Sequence, residues 1–164
     1  MRDHSPLPRS AFRPDPAGPG LPDPFERPEA YSGVTAKRLL AWIVDSIVIL
    51  CLSAVTVVLT AFTGLLIWPM LYLAVGLAYR TLTIAAGSAT WGMRAAGIEL
   101  RTAAGTPLNA GEAALHTAGY SLSMAFAPLQ VISVVLMLTG ARGQGLSDLA
   151  LGTAMLNRRA LAAD

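Results

Sequence analysis

The sequence predicts an all-α membrane protein, a small bundle of three transmembrane helices with a short cytoplasmic β pair. Three observations lead there. Residues 46–79 carry no charged side chain, and neither do residues 117–141. Hydrophobic residues make up 54% of the chain and charged ones only 13%, about half the usual share of a soluble domain. The chain has 164 residues, enough for one small membrane domain and little else.

Residues 1–30 come first and hold eight of the eleven prolines, mixed with arginine, aspartate and glutamate. Such a segment buries too little apolar area to offset its chain entropy, so it is expected to be a disordered cytoplasmic tail. It contains no apolar stretch of the signal-peptide kind, so the first membrane helix is expected to act as its own insertion signal. The membrane domain is assigned to residues 31–157 and a short C-terminal tail to 158–164.

The first uncharged run, as one straight helix, would be about 50 Å long, against a hydrocarbon core of about 30 Å. It therefore folds back as two helices, from near Thr35–Arg38 to about Thr60 and from about Leu65 to about Ala86. The turn falls at Thr60-Ala61-Phe62-Thr63-Gly64, the least apolar point. Pro69 lies in the first turn of the second helix, where a missing N–H does little harm. Trp68 and Tyr72 suit the outer interface.

The glycine-rich connector, 87–111, contains Gly97-Ile98-Glu99-Leu100-Arg101, whose alternation reads as a short strand. Asn109 with Glu112 three residues on reads as a capping box for the next helix. The third apolar region, Glu112–Gly140, has Pro128 near its middle. It is either one kinked helix or a split, re-entrant hairpin meeting at Ala127-Pro128. In the tail, Thr153–Leu156 reads as a second strand, expected to pair with Ile98–Arg101 beneath the bundle.

Lysine and arginine set the topology. Six lie between Arg2 and Arg38, none in the 60–68 turn, three from Arg80 to Arg101 and three from Arg142 to Arg159. The excess of positive charge on the cytoplasmic side puts the N-terminus and the connector inside and the first turn outside. A basic tail that is also inside favours a third region that enters and returns.

The charges at the edge of the apolar runs are the candidate functional residues. A charge at a helix centre costs roughly 2.5–3.5 kcal/mol on insertion scales, so such residues face protein or water. Arg38 and Asp45, seven apart, share one face of the first helix. Asp45 and Arg80 lie at similar depths in a symmetric hairpin, and they are expected to form an ion pair or share a bridging water. Asp45 reads either as a carboxylate for a proton or small cation, or as a buried structural partner. Arg38 reads as the mouth of that path, or as an anchor reaching the headgroups. Asp148 reads as a contact to the first helix and as a cap for the short segment after it. His116, at the start of the third region, reads as an interfacial histidine, and Cys51, Met124, Met137 and Met155 as packing residues. No phosphate loop, nucleophile elbow or Cys/His cluster is present, so neither an enzyme nor a cofactor or metal site is expected. The scattered charge argues against nucleic acid.

Three segments carry a resemblance. YSGVTAKRLLAWIVDS, ATWGMRAAGIELR and RGQGLSDLALGTAML, in that order, resemble the RDD family of small bacterial membrane proteins, named for one arginine and two aspartates. Arg38 and Asp45 match the arginine and the first aspartate. Thr90, Gly92, Met93, Arg94 and Gly97 match the connector element, with Trp91 where the family often has proline. Asp148, Gly152 and Thr153 match the element with the second aspartate. The resemblance implies a helical bundle in the cytoplasmic (inner) membrane, with transport the usual suggestion for a poorly defined role. Two readings follow: transport of a small cation or other ligand, or an accessory subunit docked on a larger complex. The expected partners are the bilayer and either further copies of the chain or that complex.

Overall fold

The structure, a computed structural model, describes residues 20–161. Helix α1 spans Val34–Leu59, 26 residues, about 39 Å at the helical rise. Its buried residues are Val34, Ala41, Asp45, Ile49, Ser53 and Val57, steps of seven and four that keep one face inward. The opposite face leaves Leu39, Ile43, Ile47 and Leu50 exposed, an apolar surface suited to lipid rather than water. The turn follows where expected, with Ala61 and Phe62 in the left-handed region. A 3-10 turn, Thr63–Ile67, then leads into α2, Trp68–Ala85, with Pro69 in its first turn.

These two stretches are long and apolar enough to cross a membrane, and a third qualifies only if the next helix pair counts as one span. That pair is α4 (Ala110–Ala125) and α5 (Ala127–Thr139), bent by 115° at Phe126. The region is thus two helices, a broken span or a re-entrant hairpin. Phe126 is extended and Pro128 opens α5, where it fits, instead of interrupting a helix. The two are about 24 and 20 Å long, each shorter than the hydrocarbon core. The chain returns toward its start: the Thr35 hydroxyl donates to the Met137 carbonyl at 3.2 Å. The capping box of α4 forms, Asn109 accepting from Glu112 N–H at 3.0 Å and Glu112 from Asn109 N–H at 2.8 Å.

Two short helices each feed a strand. Helix α3, Trp91–Ala96, ends at Gly97 and enters β1, Ile98–Arg101; α6, Leu146–Leu151, ends at Gly152, and after Thr153 comes β2, Ala154–Asn157. Both glycines are left-handed, with φ of 71° and 63°, the helix ending that glycine permits. The strands pair antiparallel, Ile98 with Asn157 and Arg101 with Ala154. An isolated pair is marginal, and this one is buried: Ile98, Leu100 and Met155 pack with Val34, Ala41 and Ile84.

The proline-rich tail lies outside the described residues through Pro19. From Gly20 on the chain is docked, which departs from the expected boundary at residue 30. The Tyr31 hydroxyl donates to the Pro22 carbonyl at 2.8 Å, and Ala30 and Tyr31 pack on Ala154, Leu156 and Ala160. Asn157 ties the ends together, donating to the Glu29 and Ser32 carbonyls and accepting from Lys37. The C-terminal tail begins as a helical turn, α7, Arg158–Leu161. Alternating sequence and prolines gave no sign of this docking, because it rests on backbone carbonyls and small side chains.

Candidate functional site: two buried carboxylates beside a cavity

Asp45 is 1% exposed and twelfth in α1. A carboxylate there must be matched by donors. The Tyr79 hydroxyl donates to Oδ1 at 2.8 Å and the Gly92 N–H to the same oxygen at 2.9 Å. The Thr90 hydroxyl donates to Oδ2 at 2.7 Å. Arg80 Nη1 stands 3.5 Å from Oδ2, so the expected pair exists but is the longest of the four contacts. The guanidinium also lies over the Tyr120 ring, 4.6 Å from its centroid, a cation–π contact.

The connector supplies two of these donors by folding into the bundle. Thr90 caps α3, accepting from the Met93 N–H while donating to Asp45. Gly92 touches α1: a Cβ there would meet Asp45 Oδ1 at 2.7 Å and overlap the Ala41 carbonyl. Only glycine lets α3 approach so closely. Arg94 turns away and donates to the Ala89 carbonyl at 3.3 Å, and its other end reaches the Thr83 carbonyl, closing the end of α2.

Asp148 is fully buried. It accepts from Arg38, from His116 Nε2 at 2.8 Å, from the Gly145 N–H at 2.9 Å and from the Thr153 hydroxyl at 3.3 Å. The expected contact to α1 forms, but Asp148 is not the N-cap: it stands third in α6 and accepts from the N–H of Gly145, the residue in the cap position. Burial alone would raise its pKa, but the Arg38 guanidinium, the His116 hydrogen bond and charge, and the Gly145 N–H outweigh this and hold the carboxyl well below the usual range. With Asp148 ionised, His116 Nε2 carries the proton of their hydrogen bond.

Arg38 therefore does not reach for headgroups: it binds Asp148 and donates to the Gly143 carbonyl at 3.1 Å. His116 is no simple interfacial residue either, at 5% exposed and bonded to a carboxylate 32 positions away. The two aspartates thus have separate arginines, Asp45 with Arg80 and Asp148 with Arg38. Tyr79, Tyr120 and the pairing of His116 with Asp148 carry no local sequence signal.

Between α1 and the α4–α5 hairpin lies a cavity of about 860 Å³, within the size range of small-molecule sites. Its lining is mainly apolar, with Leu39, Val134, Met137 and Leu138 among it, and its polar edge includes Arg80, His116 and Thr117. His116 Nδ1 and the Thr117 hydroxyl are buried without a hydrogen-bond partner among the described residues. No cluster of His, Cys, Asp and Glu able to hold a metal occurs among the described residues.

Apolar helices with exposed apolar faces, closed by buried arginine–aspartate pairs, define a helical protein of the membrane type. The chain belongs to the RDD family: the sequence model of that family matches residues 33–152. The match spans Arg38, Asp45 and Asp148 and ends before β2. Among curated proteins and among solved structures, none matches the chain.

Proposed function

We propose that this protein is a bacterial cytoplasmic-membrane protein that binds a small, mainly apolar molecule between α1 and the α4–α5 hairpin and moves it into or out of the bilayer. The cavity of about 860 Å³ carries this reading. Its apolar wall includes Leu39 and Leu138, which are also exposed on the outside of the bundle, so its rim borders the lipid-facing surface. The distribution of arginine and lysine supports a cytoplasmic side for the N-terminus and the β pair.

Transport of a small cation through Asp45 is the weaker reading. Both oxygens of that carboxylate are already engaged, Oδ1 by two donors and Oδ2 by two. A cation would have to displace a hydrogen-bonded set inside a low dielectric. Asp45 and Asp148 act instead as the internal anchors that let the connector and the tail close one end of the bundle. The role is binding and movement of a ligand, not catalysis.

The test uses purified protein in lipid nanodiscs and the lipophilic fluorophore 1-aminoanthracene. Saturable binding is expected, and Leu138→Trp, which fills the rim from an exposed position, should weaken it. Binding that never saturates above empty nanodiscs, or that ignores the substitution, contradicts the cavity as the site. Flux of the bound fluorophore between vesicles then separates a carrier from an accessory subunit.

A further inference from the structure

The polar edge of the cavity is unbalanced in a way that specifies a ligand. Acceptors are used up: each oxygen of Asp45 and of Asp148 takes two protein donors. Donors are in surplus. Arg80 carries five N–H groups, yet its one hydrogen bond among the described residues is the 3.5 Å contact to Asp45. The Thr117 hydroxyl, 1% exposed, has no partner among the described residues. His116 Nδ1 has none there either; with the proton on Nε2 it is an acceptor, not a spare donor. All three residues line the cavity.

They are also close together on the fold. Arg80 sits over Tyr120. Thr117 and His116 precede Tyr120 by three and four residues on α4, so they occupy the same face about one turn away. A guanidinium fork, a free hydroxyl and an imidazole nitrogen thus converge on one end of an otherwise apolar space. A buried polar group without a partner is costly, and the Thr117 hydroxyl beside the spare N–H groups of Arg80 asks for a partner supplied from outside.

We infer that the cavity takes a single-chain amphiphile with an anionic oxygen head, a carboxylate or a phosphate monoester. The head is held by Arg80 and Thr117, and the chain lies along the wall of α1 and α5. This rests on the cavity being a ligand site, and it adds the chemistry of the head. Arg80 suits the task because its planar fork matches two oxygens of one anion. The Coulomb attraction is worth most where water is scarce.

Equilibrium binding to protein-loaded against empty nanodiscs, with dodecanoate, dodecyl phosphate, dodecan-1-ol and dodecyltrimethylammonium, tests the inference. At least one anion should bind saturably and about tenfold or more tightly than the alcohol, the scale of one charge-assisted hydrogen bond. The ammonium should bind weakest. The tighter anion distinguishes a fatty acid from a phosphorylated lipid as the source. Arg80→Gln should erase the preference for the anion, bringing its affinity to that of the alcohol. Thr117→Val removes a hydroxyl that bonds to nothing, so it should fold at least as well as the parent and still weaken anion binding several-fold. Equal binding of all four probes, or an anion preference untouched by both substitutions, overturns the inference and leaves the cavity as an apolar site. Failure of all four to bind overturns the cavity reading itself.

Discussion

At the scale of single residues, the two aspartates differ in how they are held. Asp148 is bound by a close arginine and a histidine, so its contribution is ionic. Removing its charge in Asp148→Asn leaves the mostly covered Arg38 without its carboxylate, a loss of about 3 kcal/mol, the lower end for a broken buried pair, that thermal unfolding in detergent reads directly. Its folded pKa is lowered from the ordinary 3.8. The stability it supplies is therefore complete above that value and is lost as the pH falls from there through the folded one. The acid limb of the unfolding profile should be steeper in the parent than in Asp148→Asn. Asp45, by contrast, depends on neutral donors at 2.7–2.9 Å more than on Arg80 at 3.5 Å. Thr90→Val strips one donor from Asp45 and the cap from α3, and should cost about 2–3 kcal/mol, the sum of a buried hydrogen bond and a helix cap. Arg80→Gln should cost less. The reverse order in measured melting temperatures would mean that the guanidinium, not the connector, holds Asp45.

At the scale of elements, the β pair and the two short helices form one unit. Cysteines at Arg101 and Ala154 are in register and should be joined by a short bifunctional reagent once the exposed Cys51 is changed to serine. Cysteines at Glu99 and Ala154, two positions out of register, should react less. Equal yields contradict the antiparallel register. Much at this scale was legible in the sequence. Alternation marked β1, the tail segment beside Gly152 and Thr153 marked β2, and Asn109 with Glu112 marked the start of α4. Counting from the turn paired Asp45 with Arg80. Illegible were the contacts that join distant segments through one atom each. Spacing along α1 put Arg38 and Asp45 on one face, and nothing local said that Arg38 belongs to a carboxylate 110 positions on. Likewise the glycine at position 92 reads as loop until its neighbour Ala41 is known. The sequence marked the break in the third apolar region correctly, with Pro128 in the first turn of α5 after an extended Phe126.

At the scale of the whole molecule, the described residues before α1 meet those after α6. Ala30 and Tyr31 pack on β2 and α7, α5 returns to the start of α1, and Arg38 clasps α6. Two crossings and a returning hairpin are the topology we propose for this closure. Three full crossings would put the partners on opposite sides of about 30 Å of hydrocarbon. The most direct measurement is labelling of single cysteines by a membrane-impermeant maleimide, from each side of oriented vesicles, in a Cys51→Ser background. Glu26, Thr63 and Arg159 are exposed positions suited to it. Cysteines at Glu26 and Arg159 should react from the cytoplasmic side only, and one at Thr63 from the opposite side only. Labelling of Glu26 and Arg159 from opposite sides would contradict the returning hairpin, the Arg38–Asp148 clasp and the cavity between them.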